Sequence, residues 1–575
     1  MIYQSLDADN DLRYTSFKIW SMKSLLLVLL IASIFIRLYK LGNIPNGLST
    51  DETDLAYNAY LVLKTGADIY GEKLPMFFQS LDDYKPGLVF YTTIPAILAF
   101  GLNDFAVRLA PFVFGVLTLF LIFVLTKLLY QKNTLLPIVA TVLASFAPWH
   151  IALSRAMVWY IELIFLYLLF FVFFLFSQKE KLTTQARTII LATGFIFLSL
   201  TPYVYYAAII YLPLILLTLA YIYRDFVKKN LKLFLPAVSM LIILSIPAIA
   251  HYSKNESKTR LNAISVLTAD ITLPTSIAEL EQDKREGQAL SQLIHNRRIV
   301  YASAILDNYF DYFNQDYLFV NAKNIRYFYV NNVGLFYLLE LPFVLYGLYV
   351  LIRRREKPDL LILALLVIGP IPAAVTLGSP FPHRALLTIL SLQLISAIGV
   401  VTFIDNLKKK KFKYAKQLFA ILIVVYAGSI YFFLHQYFIH SPREFTSESD
   451  NGAWFSTVRE AIPLVNQYKD KYDKVVFTWS SQKLVPAVYF LFYNEVDPKI
   501  IQEKASGWTN EPPSYRQIYN QIGDIEFRPI DWDVDQELKN TLFIGYAEEF
   551  PYDAKIIDKT YLPNGKEHFL FVESQ

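Results

Sequence analysis

The chain contains no cysteine. That excludes disulfides and thiolate metal sites, and requires no oxidising compartment. Charge is also scarce: Asp, Glu, Lys and Arg make up 18% of the 575 residues, where a soluble domain averages about 25%. The net charge is only +4, and no basic stripe with interleaved aromatics occurs, so nucleic acid is set aside as a partner. No internal repeat of roughly 20–50 residues recurs. No small-residue cleavage site follows the polar stretch Met1 to Lys18 and the first apolar run, so that run reads as a retained helix and not a signal peptide.

What the chain has in excess is apolar surface, with 55% hydrophobic and 16% aromatic residues. These residues lie in blocks, and a block of about 20 residues crosses a bilayer. Leu25–Leu41 qualifies, with Arg37 near its far end placed to snorkel. Further spans are Phe105–Tyr130, Leu135–Trp149, Val158–Phe176, Thr188–Pro202, Ala207–Tyr223, Leu233–His251, Val333–Ile352, Leu360–Leu377, Ala385–Ile404 and Gln417–Leu434. Leu88–Phe100 is too short and reads as an interfacial or re-entrant helix. Basic residues then test the count. Lys127/Lys132, Lys179/Lys181/Arg187, Arg224/Lys228/Lys229, Arg353–Arg355 and Lys408–Lys411 all fall on the N-terminal side, provided Leu88–Phe100 does not cross. By the positive-inside rule the chain has about eleven spans, its N-terminus inside and its C-terminus outside.

The expected fold is therefore an all-α polytopic bundle over residues 1–434 with an extracytoplasmic α/β domain over 435–575. Outward loops cover 42–104 and 252–332, the second with an amphipathic stretch around Leu290–Leu306. In the tail, Trp454–Tyr468 and Leu484–Tyr493 read as helices. Lys474–Thr478, Leu542–Tyr546, Lys555–Tyr561 and His568–Val572 read as strands, the last two around a Pro563-Asn564-Gly565 turn.

The residues that can carry chemistry cluster on the outward side. Ser49-Thr50-Asp51-Glu52-Thr53-Asp54 reads as a capped helix start whose acids favour the dipole. It reads equally as a carboxylate at the membrane edge, a general base or a cation ligand. Asp82-Asp83-Tyr84-Lys85-Pro86-Gly87 opens the short helix. Lys85 there is either a snorkelling anchor or, beside a helix N-terminus, a phosphate contact. Trp149-His150, Ser154-Arg155, Glu162, the tyrosines Tyr203, Tyr205 and Tyr206, and His383-Arg384 lie at outer span ends. Alone each is ordinary aromatic belt or lipid contact. Together, cations Lys85, Arg155 and Arg384 beside loop carboxylates suit a site for a lipid phosphate and a base. A divalent cation between Asp51 and Glu52 is not favoured, because no His or third acid is spaced to complete its shell; no cofactor is expected.

These stretches resemble the bacterial dolichyl-phosphate-mannose-protein mannosyltransferase-like family, a group with the GT-C fold that includes lipid A aminoarabinose transferases and is related to protein O-mannosyltransferases. The resemblance rests on Asp51-Glu52 with Ala56-Tyr57-Asn58-Ala59-Tyr60, Asp83-Tyr84-Lys85-Pro86, Phe105-Ala106-Val107-Arg108-Leu109, Pro148-Trp149-His150 with Ser154-Arg155, and Pro382-His383-Arg384. It implies a glycosyltransferase in the plasma (inner) membrane, using a polyprenyl-phosphate-linked sugar on the extracytoplasmic side. Its acceptor would be a protein, lipid or glycan. It also implies Asp51 as general base with Glu52 as its partner, and Lys85 on the lipid-linked phosphate. Asp83, Tyr84, Arg108, Arg155, Tyr205, His383 and Arg384 are the further expected substrate contacts. Two departures stand out: Gly87 follows Lys85-Pro86 where many relatives have a second proline, and Trp159 stands where many have an acid, with Glu162 out of register. A flippase or transporter would instead place acids or broken helices at midmembrane. A polysaccharide polymerase would use its large middle loops.

Overall fold

The computed structural model describes residues 24–81, 83–254, 265–268, 272–322, 328, 330–444, 454–480, 484–506 and 514–574. Met1 to Lys18 and Asp82 lie outside the described residues.

The apolar blocks form helices. Seven described helices are long and apolar enough to cross a membrane: Asp104–Leu129, Val158–Phe176, Thr184–Tyr203, Leu231–Tyr252, Lys357–Ala374, Leu386–Lys409 and Ala415–Glu444. Four apolar helices are shorter: α1 (Ser24–Leu38), Leu88–Phe100, Leu135–Phe146 and Ala208–Ile222. The short Leu88–Phe100 helix has the limits read from the sequence. Two stretches differ. The run Leu135–Trp149 breaks at Ala147, whose extended backbone (φ −61°, ψ 133°) is what a residue ahead of proline adopts; Pro148–Leu153 then forms a separate short helix. In Val333–Ile352 only Leu341–Arg354 is α-helical. The preceding residues pair instead with the middle loop, Ala322 N–H donating to Val333 O and Phe336 N–H to Leu318 O.

Val158–Phe176 and Leu386–Lys409 run through the bundle core, whereas on Ala415–His435 only Phe433 is buried, as suits a helix facing lipid. Arg37 does not snorkel. It is fully buried, donating to Ser145 O and to His150 Nδ1 at 2.9 Å each. His150 Nδ1 therefore lacks a proton, and Nε2 faces Thr118 Oγ1 at 2.9 Å.

Between α1 and Asp104–Leu129 the chain forms α2 (Thr50–Thr65), a hairpin of β1 (Phe77–Ser80) and β2 (Asp83–Pro86), and α3 (Leu88–Phe100). The hairpin register sets Ser80 opposite Asp83 and Phe78 opposite Lys85.

In the tail, β3 (Lys474–Phe477) lies parallel to both β5 (Ile525–Phe527) and β6 (Thr541–Tyr546). With β4 (Gln521–Ile522), β7 (Ile556–Tyr561) and β8 (Glu567–Glu573) they make a six-stranded sheet in the order β4-β5-β3-β6-β8-β7. Helices Ser456–Tyr468 and Pro486–Tyr493 connect this sheet to α2, and Ala56, Tyr57, Ala59 and Leu61 share one core with Val458, Ile462, Val488 and Tyr489. The tail thus rests on the first loop and is not a detached appendage.

Candidate active site

The local sequence starts α2 firmly. Ser49 caps it, its hydroxyl accepting the Glu52 N–H while the Glu52 side chain accepts the Ser49 N–H. This fixes which way Asp51 and Glu52 of the first turn, and Asp54 just beyond it, face. Asp51 and Asp54, three residues apart, share one side of the helix, and Lys85 from β2 reaches both. Its ammonium donates to Asp51 Oδ1 at 3.0 Å and to Asp54 Oδ2 at 3.5 Å. The Asp51 side chain is 33% exposed and the Asp54 side chain 1%, so only Asp51 can meet a substrate. Asp54 also accepts from the Ser80 hydroxyl and from Asn58 Nδ2 at 3.2 Å. Burial pushes the Asp54 carboxyl up, more than Lys85 and Ser80 pull it down. Burial alone would push the Lys85 ammonium down, but the two carboxylates outweigh it and hold the group above its ordinary value.

Asp51 and Lys85 open on a cleft of about 70 Å³ whose other walls are Tyr84, Pro86, Met157, Trp159, Tyr160, Tyr205 and Tyr206. His383 stacks on Tyr160 (centroids 4.2 Å apart, planes at 17°) and meets Tyr205 edge-on at 6.3 Å. Met157 adopts the left-handed conformation (φ 54°), a strained one for a side chain of this size. Its N–H donates to Glu52 Oε1 at 3.1 Å, which locks this strained corner to the start of α2.

Of the residues expected from the sequence, Asp51, Tyr84, Lys85 and Tyr205 line the cleft, and His383 backs its wall. Five charged ones stand elsewhere, a correction; for Glu52, Arg108 and Arg155 the cause is that buried charges must be satisfied. Glu52 is spent on the capping box and the Met157 N–H, with Arg108 at 3.6 Å. Arg108 donates to the carbonyls of Pro45 and Gly47. Arg155 gathers the carbonyls of Ile36, Arg37, Tyr39, Lys40 and Ile44, closing the end of α1 and the turn that follows. Arg384 holds Thr376 Oγ1 and the Leu377 carbonyl at 2.7 and 2.6 Å. Asp83 does not line the cleft; its Oδ1 accepts the Tyr84 N–H at 2.8 Å. Sequence reasoning passed over Asp54, whose i,i+3 spacing from Asp51 was the available signal, and Tyr160, which carried none.

Residues 27–252 match the family described as dolichyl-phosphate-mannose-protein mannosyltransferase. No protein of curated function matches by sequence. Among solved structures, the fold is similar to that of ArnT from Cupriavidus metallidurans in the apo state, with TM-score 0.53, 12% identity, and 95% of this chain and 97% of that one covered. The same protein bound to undecaprenyl phosphate gives TM-score 0.53 at 12% identity, with 97% of this chain and 98% of that one covered. The N-terminal part of the chain is thus similar to that mannosyltransferase family, and the whole chain shares the fold of ArnT.

Proposed function

We propose that the chain transfers a sugar from a polyprenyl-phosphate-linked donor to an acceptor on the extracytoplasmic face of the plasma membrane, with Asp51 as general base. The observation that carries this reading is the pairing of Asp51 with Lys85 at the mouth of an aromatic-walled cleft. On this reading three apolar helices short of a full span (α1, Leu135–Phe146, Ala208–Ile222) and Leu341–Arg354 count as crossings beside the seven long ones, eleven in all. The N-terminus is then inside, and the basic loops face the cytoplasm. This puts the cleft at the outer interface, where a prenyl tail stays in lipid while its sugar reaches Asp51.

Polyprenyl phosphate is already a good leaving group. As the bond from the anomeric carbon to the phosphate oxygen breaks, Lys85 stabilises the growing phosphate charge. Asp51 takes the proton from the acceptor hydroxyl or amine as its lone pair attacks that carbon. One displacement inverts the anomeric centre. The Tyr84, Trp159, Tyr160 and Tyr205 rings offer apolar faces to the sugar. The reading includes no divalent cation, since Lys85 already supplies a positive charge between the two carboxylates. That ArnT is seen with undecaprenyl phosphate supports the donor class. A flippase is the second reading; it needs transport without chemistry.

The test is transfer by the purified, lipid-reconstituted protein from a panel of polyprenyl-phosphate sugars, with and without chelator. Asp51→Asn should lower the rate by about 10²–10⁴-fold. Equal transfer by wild type and variant would overturn the base assignment, and movement of lipid-linked sugar across the bilayer without transfer would favour the flippase.

A further inference from the structure

The proposed reaction needs Asp51 as a free base and Lys85 as a free cation, yet the two are 3.0 Å apart and paired. A base tied to its own lysine is a weak base. Asp54 offers the way out. It lies one turn along α2 with its side chain 1% exposed, and can touch neither acceptor nor sugar. Ser80, from the first strand of the hairpin that carries Lys85, donates to the carboxylate oxygen that Lys85 approaches, and Asn58 donates to the other. Three donors on this buried carboxyl favour its ionised form, against the burial that pushes the group up.

We infer that Asp54 is the resident counter-ion of Lys85, a positioning residue that lets the lysine turn from Asp51 to the donor phosphate without leaving its seat. This rests on the function proposed above. With two carboxylates sharing one ammonium, Lys85 can give up its bond to Asp51 and remain paired, so Asp51 is released as phosphate arrives. Were Asp54 neutral, Lys85 would have Asp51 as its only partner, and releasing the base would leave a buried cation alone. The hydroxyl of Ser80 and the hairpin register, which sets Phe78 opposite Lys85, hold the lysine over both acids. Other titratable groups that face this trio are Tyr160, Tyr205 and Tyr206 from the bundle, Tyr84 on the hairpin, and Tyr489 and Tyr519 from the tail.

The test compares wild type, Asp54→Asn, Asp54→Glu and Ser80→Ala in lipid nanodiscs, reading undecaprenyl phosphate binding and sugar transfer separately across pH. Asp54→Asn should bind undecaprenyl phosphate within about threefold of wild type while kcat falls about tenfold. Both limbs of its pH profile should move down by about one unit, because removing a nearby negative charge makes both Asp51 and Lys85 give up protons more readily. Asp54→Glu should restore much of kcat and the wild-type profile. Ser80→Ala, which keeps the charge, should move the acid limb up, since the hydroxyl holds the Asp54 carboxyl down. A wild-type kcat and profile in Asp54→Asn would overturn the inference. So would a fall in kcat with an unmoved profile that Glu does not rescue, which would mark a merely structural residue. If wild type itself binds no undecaprenyl phosphate, the donor assignment and this inference fall together; binding without these shifts sinks this inference alone.

Discussion

At the scale of the residue, the charged side chains divide by what they touch. Lys85 is held by two acids, so its removal leaves Asp54 buried beside an absent partner, a change that costs about 3–5 kcal/mol. Lys85→Met is therefore expected to lower the melting temperature as well as transfer. Adding Asp54→Asn should restore the melting temperature and leave transfer lost, since phosphate stabilisation is still missing. Recovery of transfer in the double variant would show that Lys85 matters for folding only. A second residue carries a pH signature. Burial pushes the Asp68 carboxyl, in the turn after α2, up to about 6, despite the N–H groups it accepts from Tyr70 and Glu72. A folded value above the unfolded one gives stability that is full below the unfolded value and lost as pH rises through about 6. Wild type should thus lose a small part of its thermal stability, about 1–2 °C, between pH 4.5 and 7.5. Asp68→Asn should remove that part of the slope in a melting series over the same range.

The sequence made Asp51 and Lys85 visible because an acid pair after a span and a Lys-Pro at a helix start are local patterns. It could not show that Arg108 and Arg155 spend their donors on backbone carbonyls. Every residue has a carbonyl, so the partner of such an arginine leaves no mark in the pattern. Glu52 misled for a related reason: adjacent in sequence to Asp51, it faces another side of α2.

At the scale of the element, apolar periodicity gave most helices to within a few residues, since length and hydropathy are set by the bilayer. It missed where backbone pairing competes, as before Leu341, and where Pro148 ends a helix inside an apolar run. The join of Leu341–Arg354 to Leu386–Lys409 is set by two glycines. A Cβ on Gly399 would come within 1.9 Å of Phe343 O, and one on Gly347 within 2.1 Å of Ile395 O. Such close approach between helices in lipid depends on the missing side chain. Gly399→Val is expected to force the pair apart and destabilise the fold, read as lost monodispersity on size exclusion in detergent. Gly428→Val, where a Cβ meets nothing within 4 Å, should behave as wild type. If Gly399→Val elutes and melts like wild type, the crossing is looser than this contact requires.

At the scale of the whole molecule, the cleft and the tail are parts of one object, and the sequence could not say so. Amphipathic Trp454–Tyr468 was legible as a helix seeking a partner, but the core that it joins includes α2, some 400 residues earlier, beyond any local pattern. Every side chain lining the cleft comes from residues 51–206. Yet the backbone that aims Asp51 is gripped from the tail. Leu48 O accepts from Phe455 N–H at 3.2 Å and Tyr489 OH at 3.0 Å. Asp104 takes Arg459 and Tyr493 at 3.1 and 3.0 Å, and Tyr57 OH reaches Val496 O at 3.1 Å. Behind these bonds Val458 and Val488, each fully buried, pack in one core with Ala56 and Leu61. Placing a charge there costs several kcal/mol. Val458→Asp should therefore abolish transfer although it alters nothing in the cleft, and undocking should expose Trp454 and Phe455, buried in the docked tail, to limited proteolysis. The milder Tyr489→Phe deletes hydrogen bonds worth about 1 kcal/mol and should lower transfer only a few-fold with the fold intact. Wild-type transfer in Val458→Asp, with the tail cleaved away, would mean that the bundle alone holds α2 and that the tail serves some other purpose.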